Sequence, residues 1–197
     1  EDVADRTLAM LHGALQEWTM GNPDRQSTDV GPVIDEQARA QIEAHIKRME
    51  DAGQKVTRVQ RQDGQLHGHF VAPAIIEIDS TSRLTREVFG PVLHVIRFQR
   101  EQLDALIDGI NATGYGLTFG VHSRIDETIA HLSERVQAGN LYVNRNVIGA
   151  VVGVQPFGGM GLSGTGPKAG GPLYLHRLAQ GAPNTALAAL PRAEADQ

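Results

Sequence analysis

Cysteine is absent from all 197 residues. Disulfides, thiolate metal sites and a cysteine nucleophile are thereby excluded from this chain. No apolar run approaches the ~20 residues that span a bilayer. A dominant charge is lacking as well. The net charge of −5 comes from 18 basic and 23 acidic residues interspersed along the chain, which points neither to nucleic acid nor to an anionic membrane surface. A His-Glu-x-x-His pair, carboxylates at glycosidase-like positions and a nucleophile-elbow serine are all missing. Ser163 sits in GLSGTG without the strand-turn-helix context that activates a hydrolase serine.

What is present has the composition of an ordinary globular protein, long enough to bury a core of its own. The chain begins at Glu1 rather than at methionine and reads as a piece of a longer polypeptide. Ala4, Leu8, Leu11, Leu15 and Trp18 recur at helical spacing between Val3 and Met20, and Gly21-Asn22-Pro23 reads as the stop. Asp35 is placed to cap a second helix running to Asp51, with Ile42, Ile46 and Met49 as its buried stripe and Gly53 as its terminator. KVTRVQR and HFVAPAIIEI read as strands joined by the turn QDGQ, the second continuous enough in apolar character to be buried. Beyond the loop DSTSRLTREVFGP come the strand VLHVIRF, a helix marked by Leu103, Leu106, Ile107 and Ile110, and the strand LTFGVHS. A helix on Ile125, Ile129, Leu132 and Val136 follows, with Ser123 and Asp126 spaced as a capping box and Gly139 as its stop, and then the strand LYVNR. Strands alternating with helices over short connections predict an α/β fold with a parallel sheet and right-handed crossovers. LYLHRLA reads as one or two helical turns. The alanine- and proline-rich residues 181–197 read as a linker or frayed tail.

The segment VVGVQPFGGMGLSGTGPKAGGP, residues 151–172, holds eight glycines and three prolines. Gly159-x-Gly161-x-x-Gly164 has the spacing of a dinucleotide fingerprint, but that fingerprint must open a helix, and TGPKAGGP forbids one. Lys168 is followed by Ala169, so the Gly-Lys-Ser/Thr run of a Walker loop is absent. Two readings survive, a structural turn cluster or a loop whose backbone lines a substrate pocket. Ligands of open parallel sheets bind where loops leave the carboxyl ends of strands, and three loops qualify: 85–91, 144–153 and the glycine-rich segment. In the first, Glu87 can hold sugar hydroxyls while Phe89 packs on a flat heterocycle, or both are merely solvated. His67 and His69 alternate as a shared metal site would on a strand, but no third ligand is near in sequence and a solvated pair is the simpler reading. His45 and His131 read as polar-face residues of helices.

At EVFGP, NATGYGL, GNLYVN and PFGGMGLSG, in that order, the sequence resembles the NAD(P)-dependent aldehyde dehydrogenase superfamily. VVGVQPFGG followed by GTGPKAGGPLYL is similar to its L-glutamate γ-semialdehyde (Δ1-pyrroline-5-carboxylate) dehydrogenase branch, as found in the C-terminal half of bifunctional proline utilization proteins. The resemblance covers Gly21 to Ala179. It implies that residues 1–180 are the C-terminal part of a parallel-sheet α/β catalytic domain with flanking helices. It also implies NAD as cofactor, with FAD confined to an upstream proline dehydrogenase, and L-glutamate γ-semialdehyde as substrate in the second step of proline catabolism. Cytoplasmic location and homo-oligomerisation of the complete enzyme are expected with it.

Family chemistry passes through a thiohemiacetal on a cysteine, hydride transfer to NAD and hydrolysis by a glutamate-activated water. That cysteine, the base and the dinucleotide-binding half are expected upstream of Glu1, so these residues alone are expected to be inactive. By the resemblance, Glu87 binds the nicotinamide ribose hydroxyls and Phe89 packs beside the nicotinamide. Gly149 and Ala150 form the loop whose backbone N–H groups receive the substrate's α-carboxylate, and Phe157 lines the aliphatic chain. Met160 departs from the polar or charged residue common in relatives. An aldehyde dehydrogenase of other specificity, or a non-catalytic folding or assembly module, stands as the alternative.

Overall fold

The computed structural model describes residues 2–59, 67–149, 151, 153–164 and 168–178. The turn QDGQ and the tail 181–197 lie outside the described residues. The chain divides into two compact units, Glu1–Leu106 and Ile107–Gln197, and its fold is of the α/β class expected.

In the first unit, helices α1 (Ala4–Glu17) and α2 (Glu36–Asp51) pack against a three-stranded sheet of β1 (Lys55–Arg58), β2 (Ala74–Glu77) and β3 (Val92–Val95). Strand order is β1-β2-β3, with β1 antiparallel and β3 parallel to the central strand. Alternation along β2 explains its unbroken apolar run. Ala74 and Ile76 face a cluster built on Ile42, Ile46 and Met49 of α2, while Ile75 faces Leu8 and Leu15 of α1. A strand covered on both faces has no polar side to show. Ile76 is fully buried, which contributes roughly 1.5–3 kcal/mol on ordinary transfer scales.

Helix α2 begins as expected, with the Asp35 carboxylate accepting the Ala38 N–H at 2.7 Å, and Gly53 takes the left-handed φ of +76° just beyond its end. Helix α1 stops earlier than its apolar period suggested. Trp18 is already extended and 44% exposed, because Thr19 turns to pair with the next segment: its carbonyl accepts the N–H groups of Asp29 and Val30, and its N–H donates to the Asp29 carboxylate.

In the second unit, α3 (Leu103–Ala112, which begins in the first) leads through the two-residue β4 (Tyr115–Gly116) to β5 (Thr118–Val121), α4 (Asp126–Arg135) and β6 (Asn140–Val143). The pair β5–β6 is parallel, from Thr118↔Asn140 to Val121↔Val143. β7 (Met160–Gly161) pairs antiparallel with β4, and α5 (Tyr174–Leu178) follows. Two expected signals fail here. Ser123 is no capping-box residue: its hydroxyl accepts the Ile125 N–H at 3.1 Å, and Ile125, with no side-chain cap, occupies the N-cap. Gly139 is no helix stop, since α4 ends at Arg135 and Gly139 serves the packing described below.

His45 also departs from expectation. Instead of facing solvent it is 3% exposed, and its Nε2 lies 2.8 Å from Nε2 of His94 on β3. Arg48 donates to His45 Nδ1 at 3.1 Å, so His45 carries its proton on Nε2 and donates it to an unprotonated His94 Nε2. Burial, reinforced by the neighbouring His45, pushes the His94 pKa from the usual 6.5 down to about 4, and burial also lowers that of His45, with help from Arg48 and Arg86. A histidine with a depressed native pKa binds fewer protons folded than unfolded, so stability is lost as pH falls through 6.5 toward 4. His94→Gln keeps an acceptor for His45 but removes this titration. Urea-unfolding midpoints measured from pH 7 to pH 4 should fall less steeply for His94→Gln than for the native protein.

Candidate functional site

The loop that carries Glu87 and Phe89 joins β2 to β3 and is fastened at both ends. At its start Arg83 grips the Asp79 carboxylate through two hydrogen bonds of 2.9 and 2.7 Å, and Ser80 accepts the Ser82 N–H. Leu84 and Val88 then turn inward onto the α2 core. Val88 is partly buried there, while Glu87 and Phe89 on either side of it are exposed. Gly90 follows where the backbone presses against α2, since a Cβ there would overlap the Ile42 side chain. Pro91 closes the loop by accepting the Ala74 N–H at 3.0 Å, the first rung of the parallel pairing. Val88, Gly90 and Pro91 thus each have a separate physical task.

Glu87 and Phe89 meet at one open cleft of about 890 Å³, floored by Ile42, Ala38 and Val88 and edged by Gln41 and Arg86. Phe89 is 87% exposed, far more than a phenylalanine with only a packing role. The Glu87 side chain is exposed too and has no hydrogen-bond or ion-pair partner among the described residues. A carboxylate free to accept two hydroxyl protons and a ring free to stack therefore share one apolar-floored cleft. His69, by contrast, is held at 3.1 Å from the Glu36 carboxylate.

The second candidate stretch leaves β6. Asn140 and Tyr142, two residues apart and both buried, point from one face of that strand. The Tyr142 hydroxyl donates to the Gly149 carbonyl at 2.9 Å and accepts from Gln155 Nε2 at 2.8 Å. Asn140 donates to the Pro156 carbonyl at 3.1 Å and accepts from the Gly158 N–H at 3.4 Å. Gly149 has φ +40°, and its half-buried backbone lies where a side-chain hydroxyl can reach its carbonyl. Phe157 exchanges two backbone hydrogen bonds with Ala169, which fixes its half-buried side chain. Ala150 lies outside the described residues. Val151, Val154 and Ile148 stand out from the crest of this loop, 62–83% exposed.

Several of the glycines after Phe157 are explained by backbone-to-backbone packing. A Cβ on Gly139 would overlap the Gly158 carbonyl, and one on Gly164 would overlap that of Gly159. Gly161, at φ +58°, sits against Gly114, whose carbonyl accepts the Leu162 N–H at 2.8 Å. Ser163, with no catalytic setting, accepts the Gly116 N–H at 3.0 Å. Met160 pairs through its backbone with Gly116 and leaves its side chain half exposed.

Residues 1–181 match the aldehyde dehydrogenase family. The chain belongs to that family. As an aldehyde dehydrogenase chain it is 58% identical over 192 residues to the bifunctional protein PutA of Klebsiella aerogenes, covering 95% of this chain and 15% of that protein. It is 38% identical over 177 residues to the 1-pyrroline-5-carboxylate dehydrogenase of Geobacillus sp. strain WCH70, covering 89% of this chain and 34% of that one. The crystal structure of a proline utilization A (PutA) mutant from Bradyrhizobium japonicum superimposes with a TM-score of 0.84 at 54% identity, covering 91% of this chain and 18% of that chain. The chain therefore spans about 15% of the length of the first curated relatives it matches.

Asn140, Tyr142 and Gln155 escaped the reading of the sequence, although Asn-x-Tyr within a buried aldehyde dehydrogenase strand placed two polar groups on one face. The glycine seat makes a direct claim about tolerance. Gly139→Ala drives a methyl into the Gly158 carbonyl, where neither backbone can yield cheaply. It should lower the thermal midpoint by several degrees, and amide hydrogen exchange at Gly158 should accelerate more than exchange in α2.

Proposed function

We propose that this chain is part of an NAD-dependent L-glutamate γ-semialdehyde dehydrogenase, oxidising the semialdehyde that forms from Δ1-pyrroline-5-carboxylate to L-glutamate. The observation that carries the reading is the cleft in which the Glu87 carboxylate, without a partner among the described residues, stands two residues from a ring left 87% exposed. Those groups fit a ribosyl nicotinamide: Glu87 accepts from the paired ribose hydroxyls and Phe89 packs beside the flat heterocycle. NAD, when bound, supplies the hydride acceptor. The backbone N–H groups of Gly149 and Ala150 receive the substrate's α-carboxylate, for which small residues leave room, and Phe157 lines its methylene chain. Similarity to PutA and to 1-pyrroline-5-carboxylate dehydrogenases supports this substrate class over other aldehydes.

No residue of this chain is a cysteine, so the nucleophile of aldehyde oxidation and the hydrolytic base belong elsewhere in the complete polypeptide. FAD has no place in this segment. Residues 1–197 expressed alone should therefore give no NADH absorbance with semialdehyde and NAD, and measurable turnover would overturn the requirement for the missing thiolate.

In the complete enzyme the cofactor and substrate assignments should separate kinetically. Glu87→Gln weakens charge-assisted hydrogen bonds and should raise KM for NAD about tenfold, with KM for the semialdehyde much less affected. Ala150→Leu should do the reverse. Steady-state kinetics with each substrate varied in turn checks both, and a Glu87→Gln enzyme with native KM for NAD would remove the ribose assignment.

A further inference from the structure

The geometry points to Tyr142, supported by Gln155, as a specificity-determining positioning residue that aims the backbone at the substrate's carboxylate. This rests on the assignment of Gly149 and Ala150 as the carboxylate-binding loop. A planar trans peptide points its N–H opposite to its carbonyl. Pinning the Gly149 carbonyl from one side therefore fixes the plane of that peptide. Tyr142 is the pin: its hydroxyl donates to that carbonyl at 2.9 Å from a ring only 6% exposed.

The hydroxyl itself is oriented. Gln155 Nε2 donates to it at 2.8 Å, which occupies an oxygen lone pair and commits the Tyr142 proton to Gly149. The ring is held as well, lying in β6 opposite Gly120 of β5 and covered on one side by the Arg145 guanidinium 4.4 Å from its centre. Gly149 at φ +40° lies in the part of backbone space where glycine is freest. Without the hydroxyl, that peptide can rotate between several orientations. A loop that must present N–H groups to a carboxylate loses aim before it loses structure, because Asn140 still holds the far end at Pro156 and Gly158.

The consequence is selective. An aldehyde bearing an α-carboxylate depends on the aimed N–H, whereas one lacking that group does not. In the complete enzyme, kcat/KM is measured for L-glutamate γ-semialdehyde and for pentanal, which has the same carbon count and no charge. Tyr142→Phe keeps the ring and its contact with Arg145, so folding is preserved. The ratio of the two kcat/KM values should fall about five- to tenfold, the scale of one lost hydrogen bond, with the change carried by KM for the semialdehyde. Gln155→Leu leaves the hydroxyl in place but unoriented, and should shift the ratio in the same direction by less. Equal losses on both aldehydes, or an unchanged ratio, would overturn the positioning role. Ala150→Leu serves as the control. If it impairs the semialdehyde while Tyr142→Phe leaves the ratio alone, the positioning proposal fails and the carboxylate loop stands. If Ala150→Leu leaves semialdehyde KM intact, the loop assignment itself fails and the proposal falls with it.

Discussion

Two side chains on one strand, Asn140 and Tyr142, hold both ends of the loop from Gly149 to Gly158. The arrangement works because a strand alternates its faces every residue, so positions two apart become neighbouring fasteners with no intervening structure. Each fastener both donates and accepts toward the loop. The Asn140 amide donates and accepts, and the Tyr142 hydroxyl does the same. Both are buried, where an unpaired polar group costs a kilocalorie or more, so letting go of the loop is penalised at both ends. Long loops are ordinarily mobile. This one is bound to β6 near both of its ends.

The loop bearing Glu87 and Phe89 reaches the same result by other means. Its order comes from burial: Val88 sinks into the α2 core, Gly90 lets the chain pass close to Ile42, and Pro91 enters the sheet. Two residues without hydrogen-bond or ion-pair partners among the described residues are thereby displayed by one packed against the core. The apolar contact supplies the free energy, and the polar and aromatic groups beside it remain available. His45, whose proton order is set by Arg48 and which hydrogen-bonds to His94, also lines that cleft.

Much of this was legible in the sequence, and for physical reasons. Ile42, Ile46 and Met49 announce a helix face because the period of a helix is local, and Asp35 announces its cap for the same reason. The apolar run of β2 announces a strand buried on both sides. EVFGP stood out because a glutamate and a phenylalanine beside a Gly-Pro turn are odd in company. What stayed hidden depends on distant partners. His45 was read as solvated, since nothing within its helix shows that His94 waits across the sheet, forty-nine positions away. Ser123 carried the spacing of a capping box but spends its hydroxyl on a nearer N–H. Gly139 was read as a helix stop because helix stops are what local signals can indicate; its contact with Gly158 is invisible to them. Tyr142 and Gln155 look like any tyrosine and glutamine until the fold brings them within 2.8 Å.

The glycine seat also divides the loop into parts with different freedom to change over generations. Where Gly139 meets Gly158, backbone touches backbone, and every possible replacement is larger than what is there. No small step leads away from such a contact. The crest is the opposite: Ile148, Val151 and Val154 stand out from the loop with little against them, so their size and polarity can drift without disturbing the seat. Change over generations would find its room at those three positions, with the foundation beneath them unaltered.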